Sequence, residues 1–125
     1  MDLEIKILDE KDLIFVSDLR NLGVPRNVAL TLVYLMNVKE ASSRGIEIGT
    51  GLRQPEISSA VCFMEKNKWM SYRTERLNQK GRPLKIYYLS VKMDVVYEYY
   101  EQIAQQNYEK SAQKIEELRG LILKK

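Results

Sequence analysis

The feature that most constrains the fold is a pair of short helix-like segments joined by a tight turn, in the middle of the chain. Ser42 and Ser43 are suited to cap the first helix, although Gly45 lowers its helical propensity. Gly51 supplies the turn, and Pro55 suits the first turn of the second helix. In that second helix, apolar residues recur on one face at helical spacing: Ile57, Ala60, Val61 and Met64. Two amphipathic helices around a Gly-bearing turn are typical of a helix-turn-helix.

A pair of strand-like segments follows the second helix directly. Residues 69–76 and 84–89 have strand-like patterns, the latter rich in the β-branched and aromatic residues that strands prefer, and residues 77–83 form a turn-rich tip between them. A helix-turn-helix followed by a hairpin is a winged helix, whose second helix enters a DNA major groove while the hairpin tip, the wing, contacts backbone or minor groove. We therefore predict a mainly α fold with a small β-hairpin, a winged helix-turn-helix over residues 1–90, with a recognition helix at about 54–67.

Two further helices are predicted in front of this unit. Apolar residues at steps of three and four indicate helices over residues 9–22 and 25–38. Gly23 suits the end of the first helix, and Pro25 suits the beginning of the second.

The last 35 residues, 91–125, have the pattern of one long helix with a narrow apolar stripe. Such a stripe favours pairing with the same helix of a second subunit, so we expect a homodimer held by this segment. A helix folded back on its own domain is the alternative. The stripe residues expected at the dimer interface are Met93, Val96, Tyr100, Ile103, Ile115, Leu118 and Ile122.

Charge is distributed unevenly along the chain, whose net charge is +3. Eight basic residues and only one acidic residue, Glu75, lie between Lys66 and Lys92. Clustered lysine and arginine displace counterions from phosphates, so this segment is compatible with a surface for double-stranded DNA. A solvated basic face is equally compatible with the charge pattern alone.

The composition argues against several other classes of protein. The chain has no histidine and one cysteine, Cys62, so an internal disulfide, a conventional zinc site and the commonest general base are all missing. We therefore expect no enzyme activity, no cofactor and no metal. No apolar run approaches the ~20 residues that span a bilayer, and the first residues lack signal-peptide features, so a cytoplasmic protein without membrane contact is expected.

Two stretches resemble a known family. Residues 43–61 with 63–69 are similar to the helix-turn-helix of archaeal winged-helix regulators of the MarR, ArsR and TrmB types, and the Lys-Gly-Arg-Pro sequence within residues 80–89 resembles their wing motif. The resemblance covers about residues 21–89 and implies a DNA-binding dimer that acts on transcription. The metal-sensing cysteines and histidines of some ArsR-type proteins are absent, so metal regulation is not implied. Neither an effector nor a target gene is implied.

The recognition helix carries the candidate base-reading residues. Gln54 can pair bidentately with adenine, and the Ser59 hydroxyl can serve several bases. Arg53 can reach guanine or a phosphate, and Ser58 can contact backbone or phosphate. Glu56 can accept from cytosine, although an acid at a helix start also stabilises the helix dipole.

The predicted wing carries the candidate phosphate contacts. Lys80 and Arg82 at its tip are expected to touch the DNA backbone, and Arg82 can enter a narrow minor groove. Arg73, Arg76 and Lys85 on the strands are further candidates. Two alternatives remain open: a winged-helix module for protein–protein interaction, and a non-specific chromatin-associated protein.

Overall fold

The computed structural model describes residues 6–76 and 81–124. Within them the helices are α1 (Glu10–Asn21), α2 (Arg26–Val38), α3 (Ser43–Thr50), α4 (Gln54–Lys66) and α5 (Met93–Leu123), and the strands are β1 (Glu40–Ala41), β2 (Met70–Glu75) and β3 (Leu84–Leu89). The chain divides into two compact units, one ending at Lys92 and the other consisting of α5. The sequence analysis placed the boundary between these two parts at residue 90, two residues earlier.

Helix α2 forms the centre of the first unit. Every residue from Val28 to Leu35 is buried, because α1, α3, α4 and the sheet all pack against this helix. The one buried polar residue of this stretch, Thr31, donates its hydroxyl to the Asn27 carbonyl at 2.8 Å. A helix that is apolar around most of its circumference belongs in a core, which explains why the other elements surround it.

The sheet has three antiparallel strands in the order β1-β3-β2. The hairpin β2–β3 was predicted from the sequence, and its observed strands agree with the prediction to within a residue. Strand β1 was not predicted, because its two residues show no pattern and it exists only through pairing of Glu40 with Tyr88 and Ala41 with Tyr87. The hairpin β2–β3 directly after the α3–α4 pair is consistent with a winged-helix fold.

The junction between α3 and α4 is built around small residues. The ring of Tyr34, fully buried on α2, packs against the backbone of Gly49 so closely that no Cβ would fit there. Gly51 ends α3 in the left-handed conformation at φ 78°, which glycine adopts without strain. Leu52 then turns into the core. This junction orients α4 with one face outward.

Helix α5 is 31 residues long and makes up most of the second unit. Its residues Val96 and Tyr100 are buried, whereas most positions beyond Ile103 are exposed. The exposed positions include several large apolar side chains near its end: Ile115, Leu118, Leu121, Ile122 and Leu123. The expectation of a long C-terminal helix is confirmed. Among the described residues, no helix combines the length and apolar character needed to cross a membrane.

Candidate nucleic-acid interface

Helix α4 presents one continuous face to solvent. The exposed positions recur at steps of three and four along the helix: Gln54, Pro55, Ser58, Ser59, Cys62, Glu65 and Lys66. The opposite face, with Ile57, Ala60, Val61 and Met64, is buried as the sequence pattern predicted. The side chains in the middle of the exposed face are short and polar, so the helix backbone can come close to a flat or grooved partner.

The structure brings Gln54 together with a residue that sequence reasoning missed. Its side-chain Nε2 donates to a carboxylate oxygen of Glu47 on α3 and lies 3.5 Å from the Ser43 carbonyl oxygen. All three residues lie at the exposed surface or its edge. The amide group of the leading base-reading candidate is therefore held by its own protein.

Glu56 supports the start of α4. Its carboxylate accepts the Arg53 backbone N–H at 3.1 Å and lies 3.3 Å from the guanidinium of Arg26. Its backbone carbonyl accepts from the Asn27 side chain at 2.9 Å. The bond to Arg53 satisfies one N–H at the start of the helix, and the carboxylate lies at the positive end of the helix dipole. This is the structural alternative to base reading by Glu56.

Arg73 is engaged within the sheet. Its two terminal nitrogens each lie 2.9 Å from a carboxylate, one from Glu40 on β1 and one from Glu75 on β2. The hydrogen bonds to Glu40 and then Glu75 raise the pKa of the Arg73 guanidinium above its ordinary value. The two carboxylates offset its charge, so Arg73 is a weaker candidate for phosphate contact than its sequence position indicated.

The other basic candidates of the hairpin lie at the surface. Arg76 at the end of β2 and Arg82 before β3 are exposed, and neither has an ion pair among residues 6–76 and 81–124. Lys85 is exposed, and its ammonium lies 4.6 Å from the centre of the Tyr72 ring. Lys80 lies outside the described residues.

A cleft of about 340 Å³ separates α4 from β3. Ser58, Cys62 and Glu65 line it from the helix, and Lys85 and Tyr87 line it from the strand. Burial raises the pKa of the Tyr87 hydroxyl, a group that is already neutral at physiological pH and can donate a hydrogen bond. Glu65 brings a negative charge into a surface that the sequence had indicated as basic.

The predicted dimer residues on α5 fall into three groups by their exposure. Val96 is fully buried and Tyr100 is 5% exposed. Burial also raises the pKa of Tyr100 to about 12. Met93 and Ile103 are half-buried. The remaining three residues of the stripe are exposed: Ile115, Leu118 and Ile122.

Three acidic residues of this surface were missed by sequence reasoning: Glu40, Glu47 and Glu65. None of the three lies within the basic segment from Lys66 to Lys92, so the charge pattern gave no signal for them, and only the fold brings them to this surface. Within the described residues, no group of three or more histidine, cysteine or carboxylate side chains is placed to hold a metal ion.

Comparison with known proteins gives weak structural similarity. No protein-family model matches the chain, and no curated protein sequence matches it. Among solved structures, the circadian clock-associated protein Pex from Anabaena is similar with a TM-score of 0.45 and 16% sequence identity, over 84% of this chain and 99% of that chain. A likeness at this level does not identify the function of the chain.

Proposed function

We propose that this protein is a sequence-specific regulator of transcription that binds double-stranded DNA, with α4 in the major groove and the β2–β3 hairpin on the backbone or in the minor groove. The observation that carries the proposal is the exposed face of α4. There, the short side chains of Ser58, Ser59 and Cys62 form a ridge between a cation at each end of the helix. A major groove ~12 Å wide admits a helix, and short side chains let that helix approach the base edges.

The cations around this ridge supply the electrostatic part of the proposal. Arg53 precedes the helix and Lys66 ends it, and both are exposed without an ion pair in the described part of the chain. Arg76 and Arg82 extend the same character to the hairpin. Phosphate contacts from such residues position a protein on DNA, and base contacts from the ridge specify the sequence.

The proposal includes a homodimer formed through α5. The exposed apolar residues Ile115, Leu118 and Ile122 lie three and four residues apart, which is the spacing of a helix–helix seam. Two copies joined in this way read two half-sites of a pseudo-palindrome.

The test measures DNA binding of the full chain over a range of salt concentrations. The double variant Arg76→Ala/Arg82→Ala is compared with Lys11→Ala/Arg20→Ala, which removes the same charge from α1. Sequences are first selected from a random duplex library, and affinity is then measured on selected and on scrambled DNA. Each lost phosphate contact lowers the slope of log K against log salt by ~0.9. We expect the hairpin variant to lose about two such contacts per subunit and the α1 variant to lose none.

Other outcomes identify other functions. Equal affinity for selected and scrambled DNA is the behaviour of a non-specific chromatin-associated protein. No binding at low salt by an intact dimer contradicts the DNA proposal and leaves the protein-interaction module. Equal losses in both double variants show that the hairpin makes no specific backbone contact.

A further inference from the structure

We propose that Glu47 sets the base preference of Gln54 by holding its amide nitrogen, so that Gln54 reads DNA as a hydrogen-bond acceptor only. Within the proposed DNA-binding function, on which this inference rests, Glu47 is then a positioning residue for specificity. The expected ligand is a base that presents an exocyclic amino group in the major groove, which means adenine or cytosine. The sequence alone had indicated a bidentate pair with adenine.

The orientation of the Gln54 amide follows from its two neighbours. The carboxylate of Glu47 and the carbonyl oxygen of Ser43 both converge on the same terminal atom of Gln54. Both neighbours are acceptors without a hydrogen, so an amide oxygen placed there would be repelled twice. The converging atom is therefore the nitrogen. The bond to Glu47 is charge-assisted and is the stronger of the two.

The position of the pair in the fold favours a role in recognition. Gln54 is the first residue of α4, and N-terminal residues of a recognition helix commonly contact base edges. Glu47 lies on α3, seven residues earlier, beyond the left-handed turn at Gly51. Both side chains are exposed, so their mutual bond is not a requirement of core packing.

The restraint changes what Gln54 can offer to a base pair. A bidentate pair with adenine needs the glutamine oxygen to accept from N6 and the glutamine nitrogen to donate to N7. With one N–H of the amide donated to Glu47 and the other directed at the Ser43 carbonyl, only the oxygen remains for the base. That oxygen accepts equally well from N6 of adenine or N4 of cytosine. Guanine and thymine present acceptors at these positions, so the oxygen of Gln54 and the nearby carboxylate both disfavour them.

The experiment is selection from a random duplex library by the wild-type chain and by Glu47→Ala, Glu47→Gln and Gln54→Ala. For the wild type we expect one position in each half-site that accepts adenine or cytosine. In Glu47→Ala the freed amide should restore the bidentate pair and shift that position to adenine, by about 5- to 150-fold over cytosine. Glu47→Gln keeps an acceptor for the amide without the charge, so it should retain the wild-type preference.

Affinity by itself is not the readout, since removing any surface carboxylate strengthens binding to all DNA. Gln54→Ala should lose the preference at that position, and adding Glu47→Ala to it should change nothing further there. A Glu47→Ala variant that gains affinity equally on every sequence, with the same selected site, overturns the proposal. So does an unchanged site in Gln54→Ala. A wild-type chain that selects no sequence contradicts the proposed function itself, which separates the two failures.

Discussion

Two glycines on the same short helix differ in what surrounds them. At Gly45 a Cβ would meet the Ser42 hydroxyl at 3.5 Å and the Tyr34 hydroxyl at 3.7 Å, which are ordinary contacts. At Gly49 a Cβ would lie 2.0 Å from a ring carbon of Tyr34 and 2.5 Å from the Lys6 carbonyl oxygen. The first position tolerates a methyl group, and the second does not.

This difference predicts opposite effects of the same substitution. Alanine gains ~0.5–1 kcal/mol over glycine in a helix interior, so Gly45→Ala is expected to leave stability unchanged or to raise it by about that amount. Gly49→Ala must displace a buried ring or backbone and is expected to lose ~2–3 kcal/mol. Urea unfolding of both variants at neutral pH measures the two free energies. If both substitutions shift stability in the same direction by the same amount, the close packing of Tyr34 on Gly49 is not present in solution.

Residue by residue, the sequence was most informative where a property depends on near neighbours. The buried face of α4 and the cap at Ser42, whose hydroxyl accepts the Gly45 N–H at 3.1 Å, were both predicted from local pattern. The contacts of Gln54 with Glu47 and of Arg73 with Glu40 were not predicted. Glu47 lies across a turn from Gln54, and Glu40 is 33 residues from Arg73, so only the folded chain brings these partners together.

At the scale of elements, helix α1 shows how one carboxylate can join two helices. Asp9 caps α1 by accepting the Asp12 N–H at 2.9 Å, and the Asp12 side chain accepts the Asp9 N–H at 3.0 Å. Asp12 also accepts from the Asn37 side chain on α2 at 2.9 Å. Burial by itself would raise the pKa of Asp12, but the hydrogen bonds from Asn37 and from the Asp9 backbone, together with the charge of Lys6, lower it below 3.8.

Because the pKa of Asp12 is lowered in the folded protein, the free energy of unfolding should fall as the solution becomes acidic. The stabilisation by ionised Asp12 is present above pH 3.8 and is lost as the pH falls through the lower pKa of the folded state. Asp12 accepts from the Asp9 N–H with one oxygen and from the Asn37 side chain with the other, whereas Asp12→Asn leaves a single acceptor oxygen. One of the two bonds is lost, so we expect a loss of ~1 kcal/mol at pH 7. Thermal unfolding of both proteins at pH 7 and near pH 3 should show this difference shrinking in acid. Asp18→Asn, an exposed carboxylate of the same helix, is the matched control.

The elements themselves were largely predictable, and the exception has a physical reason. The predicted helices at 9–22 and 25–38 correspond to α1 and α2. Gly45 did not prevent α3 from forming, because the helix buries Ile46 in the core and packs against the buried Tyr34. Strand β1 has two residues and no periodicity, so it is defined only by its partner strand β3. Tertiary context decides such short elements, and single-sequence patterns do not contain it.

At the scale of the whole molecule, the end of α5 exposes large apolar side chains that a single copy of the chain does not cover. Ile122 is 72% exposed and Leu123 is 85% exposed, and Leu118 lies one turn earlier at 48%. A helix with such a stripe is stabilised by a second helix rather than by propensity alone. We expect a seam with a second copy to lie in the distal half, where the apolar side chains of the stripe are exposed.

We therefore expect Leu118→Glu/Ile122→Glu to convert the protein to a monomer, because charges in an apolar seam are costly to bury. Gln106→Glu/Gln113→Glu adds the same charge to the polar side of α5 and should leave the dimer intact. Sedimentation equilibrium at micromolar concentrations measures the oligomeric state of both variants.

On DNA with two half-sites, loss of the second, linked contact in the monomeric variant should weaken binding by about 10²- to 10⁴-fold, whereas its affinity for a single half-site should be unchanged. A wild-type chain that sediments as a monomer, or an apolar-to-Glu variant that stays dimeric, contradicts the assignment of α5 as the dimer element while leaving the recognition face of α4 untouched.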